Sequence, residues 1–452
     1  MNDNKEFLGT EPVGKLIFKL AIPTVVAQLI NMLYNIVDRI FIGRMPEVGS
    51  LALTGVGVCM PIILLVSAFA SMVGAGGAPR ASIFMGRGDH NQSEKILGSC
   101  FSFQIIASIV LTILLVAFNR PLLLLFGASE NTIVYANAYM NIYAIGTIFV
   151  QLTLGMNAFI TAQGFAQFGM LTVLIGAVCN IILDPILIFI LNMGVQGAAL
   201  ATIISQGVSA VWCVLFLCGK KTMLRLRKEN LKINPSILLP CLALGTASFI
   251  MQGSESVISV CFNSSLLKYG GDIAVGSMTI CTSVMQFAMM PMAGLTQGAQ
   301  PISSYNFGAK KNDRVKKAIL IQLAICMTYS ILLWGGIMLA PKTFAGIFTS
   351  DPALLAYASN ALRTYCAFIF IFGVQIVCQM SFVATGNAIC SILVAMARKF
   401  VLLLPLIFIL PHVLKDQAMA VYTAEPVADC LAAIFTVILF LTQFRKSLSN
   451  NV

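Results

Sequence analysis

Charge is what this sequence has least of. Only 10% of its 452 residues are Asp, Glu, Lys or Arg, where soluble globular proteins carry about 25%, and a single water-soluble domain is excluded. Histidine occurs only at His90 and His412, and no HExxH, Ser/Lys or Cys/His arrangement is present, so a membrane-embedded enzyme would lack its catalytic constellation. The thirteen cysteines form no CxxC pair and no Cys/His grouping. They read as buried free thiols rather than as a disulfide framework or a zinc site. The first fourteen residues are polar and show no cleavable signal pattern, so the first apolar run is expected to act as its own insertion signal.

What the chain has instead is apolar length, with 58% hydrophobic residues. A hydrocarbon core takes about 20 apolar residues per helix. Runs between Gly, Pro and charge punctuation give twelve spans, beginning near residues 15, 51, 95, 132, 170, 197, 236, 274, 318, 353, 391 and 419. The fold class is all-α integral membrane. Short cytoplasmic loops are enriched in Lys and Arg, so the net charge of +11 reads as a topology signal rather than as a nucleic-acid surface. With the N-terminus inside, 21 basic residues fall on the inner side, from Lys5, Lys15 and Lys19 through the Lys220 to Lys232 stretch to Arg398, Lys399, Arg445 and Lys446. Seven fall outside: Arg39, Arg44, Arg120, Lys268, Lys342, Arg363 and Lys415. Both termini are expected in the cytoplasm.

Residues 49 to 166 align without a gap on 271 to 388, an offset of 222, with 18 identities in 118 positions. The identities include Gly49/Gly271, Gly76/Gly298, Pro79/Pro301, Gly86/Gly308, Tyr143/Tyr365 and Gly164/Gly386, types that constrain backbone rather than hydrophobicity. Six spans per half is an even number, so the halves enter the membrane in the same orientation, related by an axis along its normal. The expected organisation is a first lobe at 1–218, a basic cytoplasmic linker at 219–235 and a second lobe at 236–452. Two like bundles facing each other create the central cleft that alternating access needs.

Five of the seventeen acidic residues lie inside predicted spans: Asp38, Asp184, Glu255, Glu425 and Asp429. Such residues cost a few kcal/mol or more at a helix centre and normally face a cavity or a partner. Asn31, Tyr34 and Asp38 share one helical face, and Asp38 and adjacent Arg39 point about 100° apart. Asn180 lies one turn before Asp184, and Pro185 cannot donate to the Ile181 carbonyl, leaving that oxygen free. With Thr202 at a similar depth, Asp38, Asn180 and Asp184 would form an oxygen-rich pocket suited to a proton or a hard monovalent cation. In the second half, Glu425 precedes Pro426 with Asp429 one turn later, Glu255 lies among Gln252, Ser254 and Ser256, and Gln375 and Gln379 are one turn apart. These groups read equally as coupling residues or as hydrogen-bonded struts. A Met stripe (Met278, Met285, Met289, Met290, Met292) near Gln286 reads as core or as a flexible wall of the cleft.

The segments IPTVVAQLINMLYNIVDRIFIGR, GAGGAPRASIFMGRGD, GMNAFITAQG, NIILDPILIF, GVQGAALATIISQ, QGAQPISSYNFGAK and AEPVAD together resemble the multidrug and toxic compound extrusion family over essentially the full length. The resemblance implies two six-helix lobes in a V, and export of cationic amphipathic compounds in exchange for protons or sodium ions. It places the cation-coupling site at Asp38, Asn180, Asp184 and Thr202, with Tyr34 and Asn157 as neighbours and Pro23 as a hinge in span 1 beside the Pro185 break. Asn31, Tyr139, Gln286 and Met289 complete the candidate substrate contacts. In another branch of the family the cation site uses acids in spans 7 and 10. Glu255 fits the first, but Gln375 and Gln379 stand where the second acid is expected. No cofactor is expected beyond the coupling ion. The implied setting is a monomer in the bacterial inner membrane, with drugs and the bilayer as partners. A lipid-linked sugar flippase of the wider superfamily is the alternative. Its substrate calls for a basic cavity, whereas the charge read inside these spans is acidic.

Overall fold

A computed structural model describes residues 7–449; Lys5 lies outside them, as does the side chain of Arg445. Among the described residues every regular element is helical. In chain order they are α1 (Phe7–Thr10), α2 (Val13–Gly43), α3 (Gly49–Gly86), α4 (His90–Leu125), α5 (Ile133–Ile145), α6 (Thr147–Ala162), α7 (Ala166–Pro185), α8 (Gly194–Cys218) and α9 (Pro235–Gly308). The chain continues with α10 (Asn312–Leu339), α11 (Pro341–Gly346), α12 (Pro352–Tyr365), α13 (Phe372–Ala384), α14 (Ala388–Met396), α15 (Leu404–Val413) and α16 (Gln417–Ser449). π-helical turns follow α7 at Ile186–Ile190 and α14 at Ala397–Leu403.

Among the described residues nine helices are long and apolar enough to cross a membrane. Two bent pairs, α5 with α6 (57°) and the pair ending in α13 (44°), bring the spans to eleven. α9 runs for 74 residues, about 110 Å at 1.5 Å per residue, which exceeds any bilayer. It breaks at Gly271, whose φ of 67° is in the left-handed region open to glycine, and so supplies two spans. The twelve spans start within six residues of the positions read from the sequence. The bend at Gly146 and the bend near Phe368 are separated by the repeat offset, so the duplication extends to the helix breaks.

The helices are packed inside out relative to a soluble protein. In α4, Ile109, Val110 and Ile113 are at least half exposed, and such apolar stripes are satisfied by lipid tails. Polar groups turn inward and bridge helices. Gln151 Nε2 donates to the Val66 carbonyl at 2.8 Å, Ser82 Oγ to the Ala162 carbonyl at 2.7 Å, and Ser209 Oγ to the Thr172 carbonyl at 3.0 Å.

Three large hydrophobic clusters give the shape. One draws on both halves, joining Leu16, Leu20, Val73 and Ala81 to Ile237, Cys241, Leu295 and Ile302. The other two are confined to one half each, around Ile42, Val56, Tyr139 and Tyr143 in the first and Ile258, Phe262, Tyr365 and Tyr422 in the second. The halves therefore share a core at the end that bears the linker and have separate cores toward the other end.

The joint is backbone against backbone. A Cβ on Gly86 would strike the Tyr305 carbonyl, and one on Gly308, its repeat mate, would strike the Ile83 carbonyl. Gly76 meets Cys241 and Gly245 across the same joint, and its mate Gly298 meets Leu20 and Ala21. Only glycine allows this approach. Replacing Gly86 or Gly308 by Val is expected to cost about 1–3 kcal/mol of overpacking and to widen the distance between spin labels on Lys95→Cys and Lys317→Cys. Gly57→Ala, with open space around its Cβ, should change neither the melting temperature nor that distance.

Candidate functional site

α2 and α7 carry the acidic site of the first half. Pro185 closes α7, and the chain then takes the π-helical turn Ile186–Ile190, with Leu191 N–H bonded to the Ile186 carbonyl. Asp184 is fully buried and Asn180 nearly so, and Asn180 Nδ2 donates to Asp184 Oδ1 at 3.3 Å. Asp38, five residues before Gly43 ends α2, brings its carboxyl next to that of Asp184. Asp38 Oδ1 and Asp184 Oδ2 are buried with no hydrogen-bond partner among the described residues. Arg39 does not pair with Asp38; its Nη2 turns to the Met60 sulfur at 3.7 Å. Ionised carboxylates are acceptors only, and two of them at about 4 Å repel by about 4 kcal/mol even at an effective dielectric of 20. A proton or a small cation between them removes that cost.

Next to the pair, bounded by its neighbours Tyr34 and Asn180 rather than by the carboxyls themselves, lies a cavity of about 40 Å³ whose polar lining is Asn31, Tyr34, Thr153, Asn180, Thr202, Ser205, Gln206 and Ser209 and whose apolar lining is Leu154, Val173, Gly176 and Ala177. That volume holds one or two waters or a small ion; drug-sized pockets run to about 300–1,000 Å³. Tyr34 stands beside Asp38, Asp184 and Gln206, and Tyr139, stacked on Tyr143 at 6.2 Å, reaches Thr202. Thr202 Oγ1 donates to the Ala198 carbonyl at 3.0 Å, which leaves its oxygen able to accept or coordinate. Thr153, Ser205, Gln206 and Ser209 were not singled out from the sequence. The last three sit with Thr202 at spacings of three and four, a polar stripe on α8 that periodicity would have revealed.

The second half contradicts one expectation. Arg398 and Lys399 were counted as inner-loop bases, yet both are buried, about ten residues or 15 Å into the span that α14 opens. Arg398 Nε bonds Asp429 Oδ1 at 2.7 Å, its Nη2 bonds Glu425 Oε1 at 3.3 Å, and its guanidinium lies 4.8 Å from the Phe372 ring. Lys399 Nζ bonds Glu255 Oε1 at 2.6 Å. The charge inside the spans is therefore mixed. Their partners lie 27 to 144 residues away, out of reach of any sequence window. Burial separates the two pairs: the Arg398 pairs are enclosed, while the Glu255 side chain is 55% exposed.

The remaining candidates scatter. Asn157 Nδ2 donates to the Gly169 carbonyl at 3.2 Å, tying α6 to α7 outside the cavity lining. Gln286 is exposed, whereas Met289 is half-buried against two of the clusters, and Met278 and Met292 are core. Gln375 is buried with both amide atoms unpartnered, and Gln379 is half-buried. Pro23 is buried within α2, which continues through it as one helix.

The family model described as MatE matches twice, at residues 23–186 and 247–409, once in each half. The chain belongs to the MatE family. It is 25% identical over 417 residues to the multidrug export protein MepA of Staphylococcus haemolyticus, covering 91% of this chain and 90% of that protein, and 24% identical over 401 residues to MepA of Staphylococcus aureus, covering 88% and 87%. Solved MATE structures share the fold: one titled as the bent conformation superposes with a TM-score of 0.93 over 100% of this chain and 99% of that one, at 22% identity. A transporter titled as the outward-facing conformation gives 0.89 over the same shares, also at 22%. The sequence-level resemblance and the all-α fold are thus established, and MatE proteins are transporters rather than enzymes.

In this MatE chain, removing Arg398 as Arg398→Met leaves Glu425 and Asp429 buried without the guanidinium that bonds both. The expected loss is about 3–5 kcal/mol, read as a drop in melting temperature in detergent. Lys399→Met should cost much less, because the half-exposed Glu255 can be solvated.

Proposed function

We propose that this protein is a secondary active exporter of cationic amphipathic compounds, driven by antiport with protons or sodium ions at the Asp38 and Asp184 pair. The observation that carries the reading is that these two carboxyls face each other with no basic residue between them, beside a cavity sized for an ion. MepA relatives are named as multidrug export proteins, which supports drugs as the cargo class. Too large for the cavity, the drug would occupy the cleft between the lobes. We further read the lobes as 1–218 and 236–452 joined by the basic linker, the protein as a monomer in the cell membrane, and the linker-bearing end as cytoplasmic by the positive-inside rule. The cleft then opens outward.

The cycle follows from charge. With the cleft open outward, a proton or sodium ion enters between Asp38 and Asp184 and cancels the negative field that holds a cationic drug, which leaves. With the cleft open inward, the ion departs, the two carboxylates repel each other again, and the next cation is attracted. Tyr34, Asn180 and Thr202 supply neutral oxygens around the pair, and Gln206 lies against Tyr34. The paired acids Glu425 and Asp429 already have a base and act as struts.

Uptake of external ethidium into inverted vesicles tests this. An imposed pH or sodium gradient should drive transport, and the gradient that works names the ion. Asp38→Asn and Asp184→Asn should each abolish gradient-driven transport while expression and melting temperature hold or rise, since a repulsion is removed. Undiminished transport by both variants would sink the assignment.

A further inference from the structure

A second polar cavity lies at the joint, on the linker-bearing end, and transport chemistry does not use it. It measures about 210 Å³ and is formed by Arg80, Ile83 and Phe84 of α3 and Arg87, which caps it, with Phe307 of α9 and the Thr385–Gly386 turn after α13. Arg80 and Arg87 are seven residues apart, two helical turns on one face and about 10 Å along the axis. Arg87 is exposed, with its guanidinium 5.1 Å from the Phe84 ring. Arg80 lies deeper, beside the Cys241 sulfur, a weak acceptor, and its Nε is buried without a partner among the described residues. Among the described residues no carboxylate pairs with either guanidinium.

The repeat shows what usually fills such a place. The mates of Thr385 and Gly386 are Gln163 and Gly164. Gln163 Oε1 accepts from Thr222 Oγ1 at 2.8 Å, Met223 N at 2.7 Å and Leu224 N at 2.8 Å, and Gly164 lies against Phe7. The linker and α1 thus cover the first-half turn. Among the described residues no segment covers Thr385 and Gly386 in that way. The arginines follow the uncovered side, since the mates of Arg80 and Arg87 on the covered side are Ile302 and Ala309.

We propose that this cavity binds a phosphate-type anion, either the headgroup of an anionic lipid or a free phosphate ester, and that the bound anion clamps the lobes together at this end. Two guanidinium forks opposite no carboxylate match phosphate oxygens, which accept several charge-assisted hydrogen bonds at once. The cavity is below drug size, and its charge repels the cationic cargo. Because its walls come from both halves, an occupant stabilises the arrangement in which α3 and α9 touch, and by linkage shifts the population toward it.

The test uses the full chain in nanodiscs of phosphatidylcholine, with and without phosphatidylglycerol, and sn-glycerol 1-phosphate as the soluble probe. The readouts are melting temperature and the distance between labels on Lys95→Cys and Lys317→Cys. Phosphatidylglycerol, glycerol phosphate or both should raise the wild-type melting temperature and narrow the distance distribution. A response to lipid alone names the headgroup as the source, and a response to the soluble ester alone names a free phosphate. Arg80→Gln and Arg87→Gln should each weaken the half-maximal response by about tenfold, and together remove it. Arg80→Lys, which keeps the charge without the fork, should fall between. Arg87 is exposed, so its variant folds even if Arg80→Gln does not. No response in the wild-type protein, or a full wild-type response retained in Arg87→Gln and the double variant, would overturn the proposal.

Discussion

Hydrocarbon offers a charged side chain no hydrogen bonds, so each one placed there must find a counter-charge inside the protein or take one from solution. The two halves of this chain answer that demand differently. In the second half, Arg398 and Lys399 bring two bases to three acids, and the enclosed pairs are short and direct. In the first, Asp38 and Asp184 face each other with no base bonded to either among the described residues, and the Asn180 amide donates to Asp184. Of the five acids inside spans, Asp38 and Asp184 are the two with no ion pair among the described residues.

That difference sits on a backbone common to both halves. The bends near Gly146 and Phe368, the turns at Gly49 and Gly271, and the joint glycines Gly86 and Gly308 all recur at one offset. Duplication therefore preserved where helices break and touch, and divergence was spent on polar side chains. The same division holds at the joint. The first-half turn at Gln163 is capped by the linker, whereas the second-half turn at Thr385 is left beside two arginines.

Most of the architecture was legible in the sequence because it depends on local composition. Apolar run length gave the spans, and Gly and Pro identities gave the repeat. The Asp38, Asn180 and Asp184 grouping was legible too, through helical spacing and the Pro185 break. The Arg398 and Lys399 pairings were not. Both residues sit early in a span whose end was uncertain by several residues, and a basic residue near a span end looks like a loop residue until its partner is known. Lys399 meets Glu255 across 144 positions, a contact that packing decides and periodicity cannot. Gln206 and Ser209 were missed for a different reason: the stripe was visible on α8, but neutral polar residues in membrane helices more often bridge neighbours, as Ser209 does to the Thr172 carbonyl.

The joint also explains how one molecule can hold its lobes firmly and still part them. Interdigitated side chains must change rotamers or slide past one another to separate. At Gly86 and Gly308, and at Gly76 and Gly245, the contact is between main chains, so opening disturbs few side chains at the crossing points. Around them the shared cluster at Leu20, Ala81, Cys241 and Ile302 supplies apolar contact, but tails of lipid are as apolar as leucine, and association in membranes gains little from hydrophobicity alone. Close approach and dispersion then set the strength of this joint.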